Sequence, residues 1–158
     1  MKQLWAPWRM SYILEPPPQG CVFCFPSEQD ESRHVLKRTA HAMVMLNKYP
    51  YTNGHLLVMP LQHVARPQDL APEAFAGWNA LLLESVDRIE KTLGAHGLNV
   101  GMNLGRVAGA GVDQHVHFHI VPRWNGDHNF MAVVGEVHMI NQHLEETYHQ
   151  LRPVFQSG

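Results

Sequence analysis

Two hydrophobic periodicities divide the chain. Between Pro72 and Gly94, Phe75, Trp78, Leu82, Val86, Ile89 and Leu93 recur at spacings of three and four, which puts them on one stripe of a helix. Pro72 suits the first helical position and Gly94 the left-handed C-terminal cap, and Phe75 and Trp78 are expected in the core. Elsewhere the apolar residues come in short runs: "HVLKRT", "HAMVMLN", "HLLVMP", "LNVGMNL" and "HVHFHIVP" read as strands, with "YPYTNG" turning the chain between the second and third. "NQHLEETYHQL" predicts a second helix, stopped by Pro153. Strands grouped on either side of one long helix predict an α+β domain, with a mostly antiparallel sheet of about five strands and a C-terminal helix.

Composition narrows the partners. At 158 residues the chain is most simply one domain, read as residues 21–158 preceded by an irregular Trp- and Pro-rich arm over 1–20. A net charge of −2 argues against a non-specific nucleic-acid binder, though not against an anionic small substrate held by local groups. The opening "MKQLWAPWRMSYI" lacks the apolar centre of a signal peptide and no run reaches membrane-spanning length, so a cytoplasmic protein is expected.

Three stretches carry chemistry. In "DQHVHFHIVPRW" the histidines at 115, 117 and 119 alternate with Val116, Phe118 and Ile120. Alternation on a strand turns the three imidazoles to one face, neighbours being about 7 Å apart, and the apolar residues to the other, as core. The glycine-rich loop "GRVAGAGVD" before them can bring backbone N–H groups up to an anion. An anion cradle beside an imidazole suits nucleophilic attack on phosphorus. The third stretch is "CVFC", Cys21 and Cys24, which is either a redox dithiol or half of a zinc site. No βα pattern precedes it, which favours zinc. Twelve histidines are many for this length, but His138, His143 and His149 stand at no ligand spacing and are expected to be solvated.

"HVHFHIV" has the alternating pattern of the histidine triad (HIT) nucleotide hydrolases and transferases, and the chain resembles that family beyond the motif. "VMLNKYPYTNGHLLVMPLQHV" is similar to the family's other half-site, while "LWAPWR" and "PRWNGDHNFM" resemble bacterial diadenosine tetraphosphate phosphorylase-like members. The resemblance implies that His117 attacks the α-phosphate and forms a covalent nucleotidyl-histidine. It implies further that His119 and His55 meet phosphate oxygens, with His119 assisting the leaving group. Asn47 would meet the ribose and Asn103 the phosphates, beside Gly109, Gly111, Val112 and Gln114 of the loop. It completes a structural zinc site with Cys21, Cys24, His63 and His115, and implies a homodimer. One departure stands out: many members carry a Ser or Thr just before the triad, where this chain has Ala110, Gly111 and Val112. The expected activity is cleavage of dinucleoside polyphosphates, phosphorolytic or hydrolytic. The alternatives are hydrolysis of nucleoside phosphoramidates or adenylylated small molecules, and non-catalytic nucleotide sensing. Trp5, Trp8 and Arg9 are read as packing residues or as lining of the nucleotide site or a dimer interface, and Trp124 and Asp127 as possible substrate contacts.

Overall fold

The computed structural model describes residues 20–127, 140 and 142–157. The arm residues Trp5, Trp8 and Arg9, His138, and most of the segment after Asp127 lie outside the described residues. Five strands form one antiparallel sheet: β1 (Val35–Arg38), β2 (Ala42–Leu46), β3 (Leu56–Pro60), β4 (Gly97–Met102) and β5 (Phe118–Arg123), in the spatial order β1-β2-β3-β5-β4. Helix α1 (Pro72–Leu93) connects β3 to β4, and α2 (Leu144–Gln156) follows the sheet. The α+β architecture read from the periodicities is the one observed. No helix among the described residues is long and apolar enough to cross a membrane.

Why β2 and β3 read as unbroken apolar runs is clear from the two sides of the sheet. Val44, Leu46, Leu56 and Val58 point to the helices, packing with Trp78, Leu81, Ile89, Leu151 and Phe155. Met43, Met45, Leu57 and Met59 point the other way and are covered by Phe23 and the Cys21–Phe25 segment. Strands buried on both faces lose the polar alternation of a half-exposed sheet. His119 sits opposite Leu57 in the β3–β5 register, so it emerges on this second face, away from the helices. His55, two residues before Leu57, shares that side.

Pro72 opens α1, and Gly94 closes it at φ 57°, its N–H bonding to the Glu90 carbonyl. Trp78 is fully buried and its indole N–H donates to the Val58 carbonyl at 3.0 Å, pinning the helix to the sheet. Phe75, expected in the core, is 45% exposed. It lies in the first helical turn and meets Trp78 edge-on, while the buried stripe begins at Trp78 and runs through Leu81, Leu82 and Ser85. A second correction concerns Pro153, which does not stop α2. The proline faces solvent, and full burial of Phe155 one half-turn on holds the helix through it to Gln156.

Gly54 fixes the approach to β3. It takes φ +74°, and a Cβ there would run into Leu93 Cδ1 at the end of α1. Gly54→Ala therefore combines left-handed strain with overpacking and is expected to destabilise the fold by about 1–3 kcal/mol. Urea denaturation of the two proteins measures this difference.

Candidate active site

The three triad histidines reach their places by two means. Strand pairing begins only at Phe118, so His119 is held by the sheet, whereas His115 and His117 belong to the approach. That approach is anchored by the Val116 N–H, which donates to the Val64 carbonyl at 2.8 Å, and by Val116 itself in the core with Ile120. Phe118 packs on the same side, 4.6 Å from Trp78. The alternation predicted for 115–120 thus survives, although the strand is shorter than expected.

His115 and His117 turn to different neighbours. The His115 Nε2 lies 2.9 Å from the Pro60 carbonyl. A carbonyl only accepts, so Nε2 carries the proton and Nδ1 keeps its lone pair. That Nδ1 is 3.3 Å from Cys21 Sγ and 3.6 Å from Cys24 Sγ, and His63 Nδ1 is 3.3 Å from Cys24 Sγ. The four donor atoms lie within 4.8 Å of one another. Two thiols and two imidazoles at this spacing suit a tetrahedral metal, and the Pro60 carbonyl supplies the outer hydrogen bond that orients a ligating histidine.

The same logic fixes the other imidazoles. His117 Nδ1 lies 2.8 Å from the His115 carbonyl, so it donates there and leaves Nε2 with the lone pair. The backbone N–H of Tyr51 donates to His55 Nδ1 at 3.1 Å. His55 therefore carries its proton on Nε2, which donates to His119 Nδ1 at 2.9 Å. His119 in turn must present an N–H at Nε2. The result is a one-way chain of donors from the Tyr51 backbone through His55 to His119, next to an imidazole with a free lone pair.

Burial sets the charge state. It pushes His55 down to about 3, the neighbouring His119 and His117 adding to the effect. His119 is pushed down to about 4 by burial and then by His117. His117 is lowered by burial, partly opposed by its bond to the His115 carbonyl. These imidazoles are therefore neutral near pH 7.

Asn47 lies in this cluster, its Nδ2 3.3 Å from His55 Nδ1 and its Oδ1 accepting from the Tyr49 N–H at 3.0 Å. The loop residues are less concentrated. Asn103 borders the loop, its Nδ2 near the position a Gly109 Cβ would take. Gly109 adopts φ 92°, and Gly111 and Gln114 are exposed. Val112 packs instead against the methionine face of the sheet. Trp124 donates its indole N–H to the Leu93 carbonyl, and Asp127 pairs with Arg123. Two residues absent from the sequence reading also pack here: Tyr51, on His55 and His119, and Phe23, edge-on to His115 and His117. The position of Tyr51, four residues before His55 in "YPYTNGH", was the available signal for the first.

His55 ties stability to pH. Its pKa falls from 6.5 unfolded to about 3 folded, so above pH 6.5 it is neutral in both states and adds no pH dependence. Below that, the unfolded chain takes a proton the folded one refuses, and stability declines as pH drops toward 3. In His55→Gln, denaturant unfolding at pH 7 and pH 4.5 is expected to show a smaller loss than in the wild type.

Residues 28–126 match the HIT domain family. The chain is 36% identical over 157 residues to the AP-4-A phosphorylase of Mycobacterium tuberculosis, covering 93% of this chain and 80% of the relative. It is also 36% identical over 109 residues to the adenosine 5'-monophosphoramidase of Schizosaccharomyces pombe, covering 69% of this chain and 78% of that one. Among solved structures, a zinc-bound histidine triad family protein of Mycobacterium smegmatis superposes with a TM-score of 0.59 at 30% identity, over 78% of this chain and 84% of the other. The chain belongs to the HIT, or histidine triad, family.

Proposed function

We propose that this chain is a nucleotidyl-transferring enzyme that cleaves dinucleoside polyphosphates of the diadenosine tetraphosphate type. The observation that carries the reading is the set of tautomers: a lone pair at His117 Nε2 beside an N–H at His119 Nε2. His117 Nε2 attacks the α-phosphorus, the P–O bond to the polyphosphate breaks, and that bond's electrons leave with the departing nucleotide. The nucleotidyl-His117 ring gains positive charge, which its Nδ1–H shares with the His115 carbonyl. In the second step an acceptor oxygen attacks phosphorus and frees His117. Inorganic phosphate as acceptor makes the protein a phosphorylase, water a hydrolase.

In the substrate-free site burial keeps His119 neutral, with its Nε2–H as a hydrogen-bond donor. A neutral imidazole hydrogen-bonds a leaving oxygen but has no proton to give away easily. A polyphosphate departs as an anion and needs none, whereas the amine of a phosphoramidate does. Phosphoramidate or adenylyl hydrolysis is the second reading, favoured by the likeness to the Schizosaccharomyces pombe enzyme and by the missing hydroxyl at 110–112. Simple nucleotide sensing would give no reason for a poised nucleophile. In the preferred reading Asn47 meets the ribose, and Asn103 with the backbone of Gly109, Gly111, Val112 and Gln114 faces the phosphates. The likeness to the Mycobacterium tuberculosis AP-4-A phosphorylase favours phosphorolysis.

Cys21, Cys24, His63 and His115 would hold zinc in a structural site, since four protein donors leave no position open for substrate. Zinc there would neutralise the thiolates and tie the segment bearing Cys21 to the approach of the triad. A homodimer fits the free edge of β4, which among the described residues pairs with β5 alone and carries Val100 at 44% exposure.

With diadenosine tetraphosphate, ADP plus ATP is expected only when inorganic phosphate is added; AMP plus ATP in plain buffer would make it a hydrolase. His117→Ala is expected to lower turnover by at least about a thousandfold, and retained turnover would remove the nucleophile. Metal analysis should find stoichiometric zinc in the wild type and a marked loss in Cys21→Ser; equal, near-zero contents in both would count against the metal site.

A further inference from the structure

His119 is held in its plane and left open at its side. Its Nδ1 has one hydrogen bond, from His55, and such a bond fixes one point of the ring while leaving it free to rock. On the sheet it sits between Leu57 of β3 and Gly101 of β4. Gly101 provides no side wall, and even a Cβ at that position would touch nothing within 4 Å. His117 meets the ring only at a steep angle, 57° between planes.

Tyr51 supplies what is missing. Its ring lies nearly parallel to that of His119, 13° between planes at a centroid distance of 5.9 Å, and 4.6 Å from the ring of His55. It takes this position although the residue is 53% exposed. An offset stack of parallel rings resists the rocking that a single hydrogen bond permits. We propose that Tyr51 is a positioning residue: its ring holds the His119 imidazole so that Nε2–H points at the leaving oxygen. This rests on the role given to His119 above, but the contact itself exists without substrate.

The backbone and the ring of Tyr51 can be tested apart. Substitution leaves the backbone N–H in place, so the tautomer of His55 is untouched and only the ring is removed. Tyr51→Phe, Tyr51→Leu and, should the leucine variant not fold, Tyr51→Ala are compared in turnover of diadenosine tetraphosphate with phosphate. The phenylalanine variant is expected to keep kcat within about twofold, and the ring-less variant to lose about ten- to a hundredfold in kcat with little change in KM, the size of effect that a misplaced group produces. Without substrate, the His119 ring protons should give one sharp set of NMR lines in wild type and Tyr51→Phe. In the ring-less variant they should broaden or average, with the His55 nitrogen signals unchanged.

A raised KM with kcat preserved would overturn the proposal, since Tyr51 would then touch substrate rather than hold His119. Equal kcat in all variants would show the ring to be idle, and an equal loss in phenylalanine and leucine variants would assign the effect to the hydroxyl. If the wild type fails to cleave the dinucleotide, the functional reading falls, while the His119 line shapes still decide the role of Tyr51.

Discussion

One hydrogen bond joins the two halves of this site: His117 Nδ1–H to the carbonyl of His115. The ring of His115 looks toward the two cysteines, while its backbone oxygen fixes which nitrogen of His117 is free to react. A residue that appears in the sequence as one of three equal histidines thus links a Cys/His cluster that could hold a metal to the imidazole proposed as nucleophile. Moving its main chain would misdirect His117 even with the other imidazoles in place.

Neutrality is the second condition. Four imidazoles crowded in a half-buried space would repel one another if charged, and burial already disfavours the charged form. The site therefore works with directed dipoles. The N–H groups of His115, His117 and His55 are aimed by acceptors of known kind, a carbonyl or the next ring, and that of His119 is left open to a ligand. Such an arrangement is preorganised and needs no rearrangement when an anion arrives.

Much of this was legible in the chain. Pro72 and Gly94 mark α1 because one tolerates a missing N–H and the other a left-handed dihedral, both properties of single residues. The cysteine pair, His63 and the triad were also visible as a pattern, and the structure gathers Cys21, Cys24, His63 and His115 as the family resemblance implied. What the sequence could not carry was set by contacts remote along the chain. Phe75 matches the helical period yet lies in the first turn, before the buried stripe begins at Trp78, and Phe155 keeps α2 intact beyond Pro153. The tautomers depend on the Pro60 carbonyl and the Tyr51 N–H, backbone partners that nearly any residue could have supplied, proline excepted for the N–H.

The central claim is that the protein backbone selects the reactive nitrogen. Long-range proton–nitrogen NMR correlation at neutral pH, on the substrate-free protein with 15N-labelled histidine, reads it directly. His117 is expected to be protonated at Nδ1 with a bare Nε2, and His119 at Nε2 with a bare Nδ1. A proton on Nε2 of His117, or doubly protonated rings at pH 7, would contradict it.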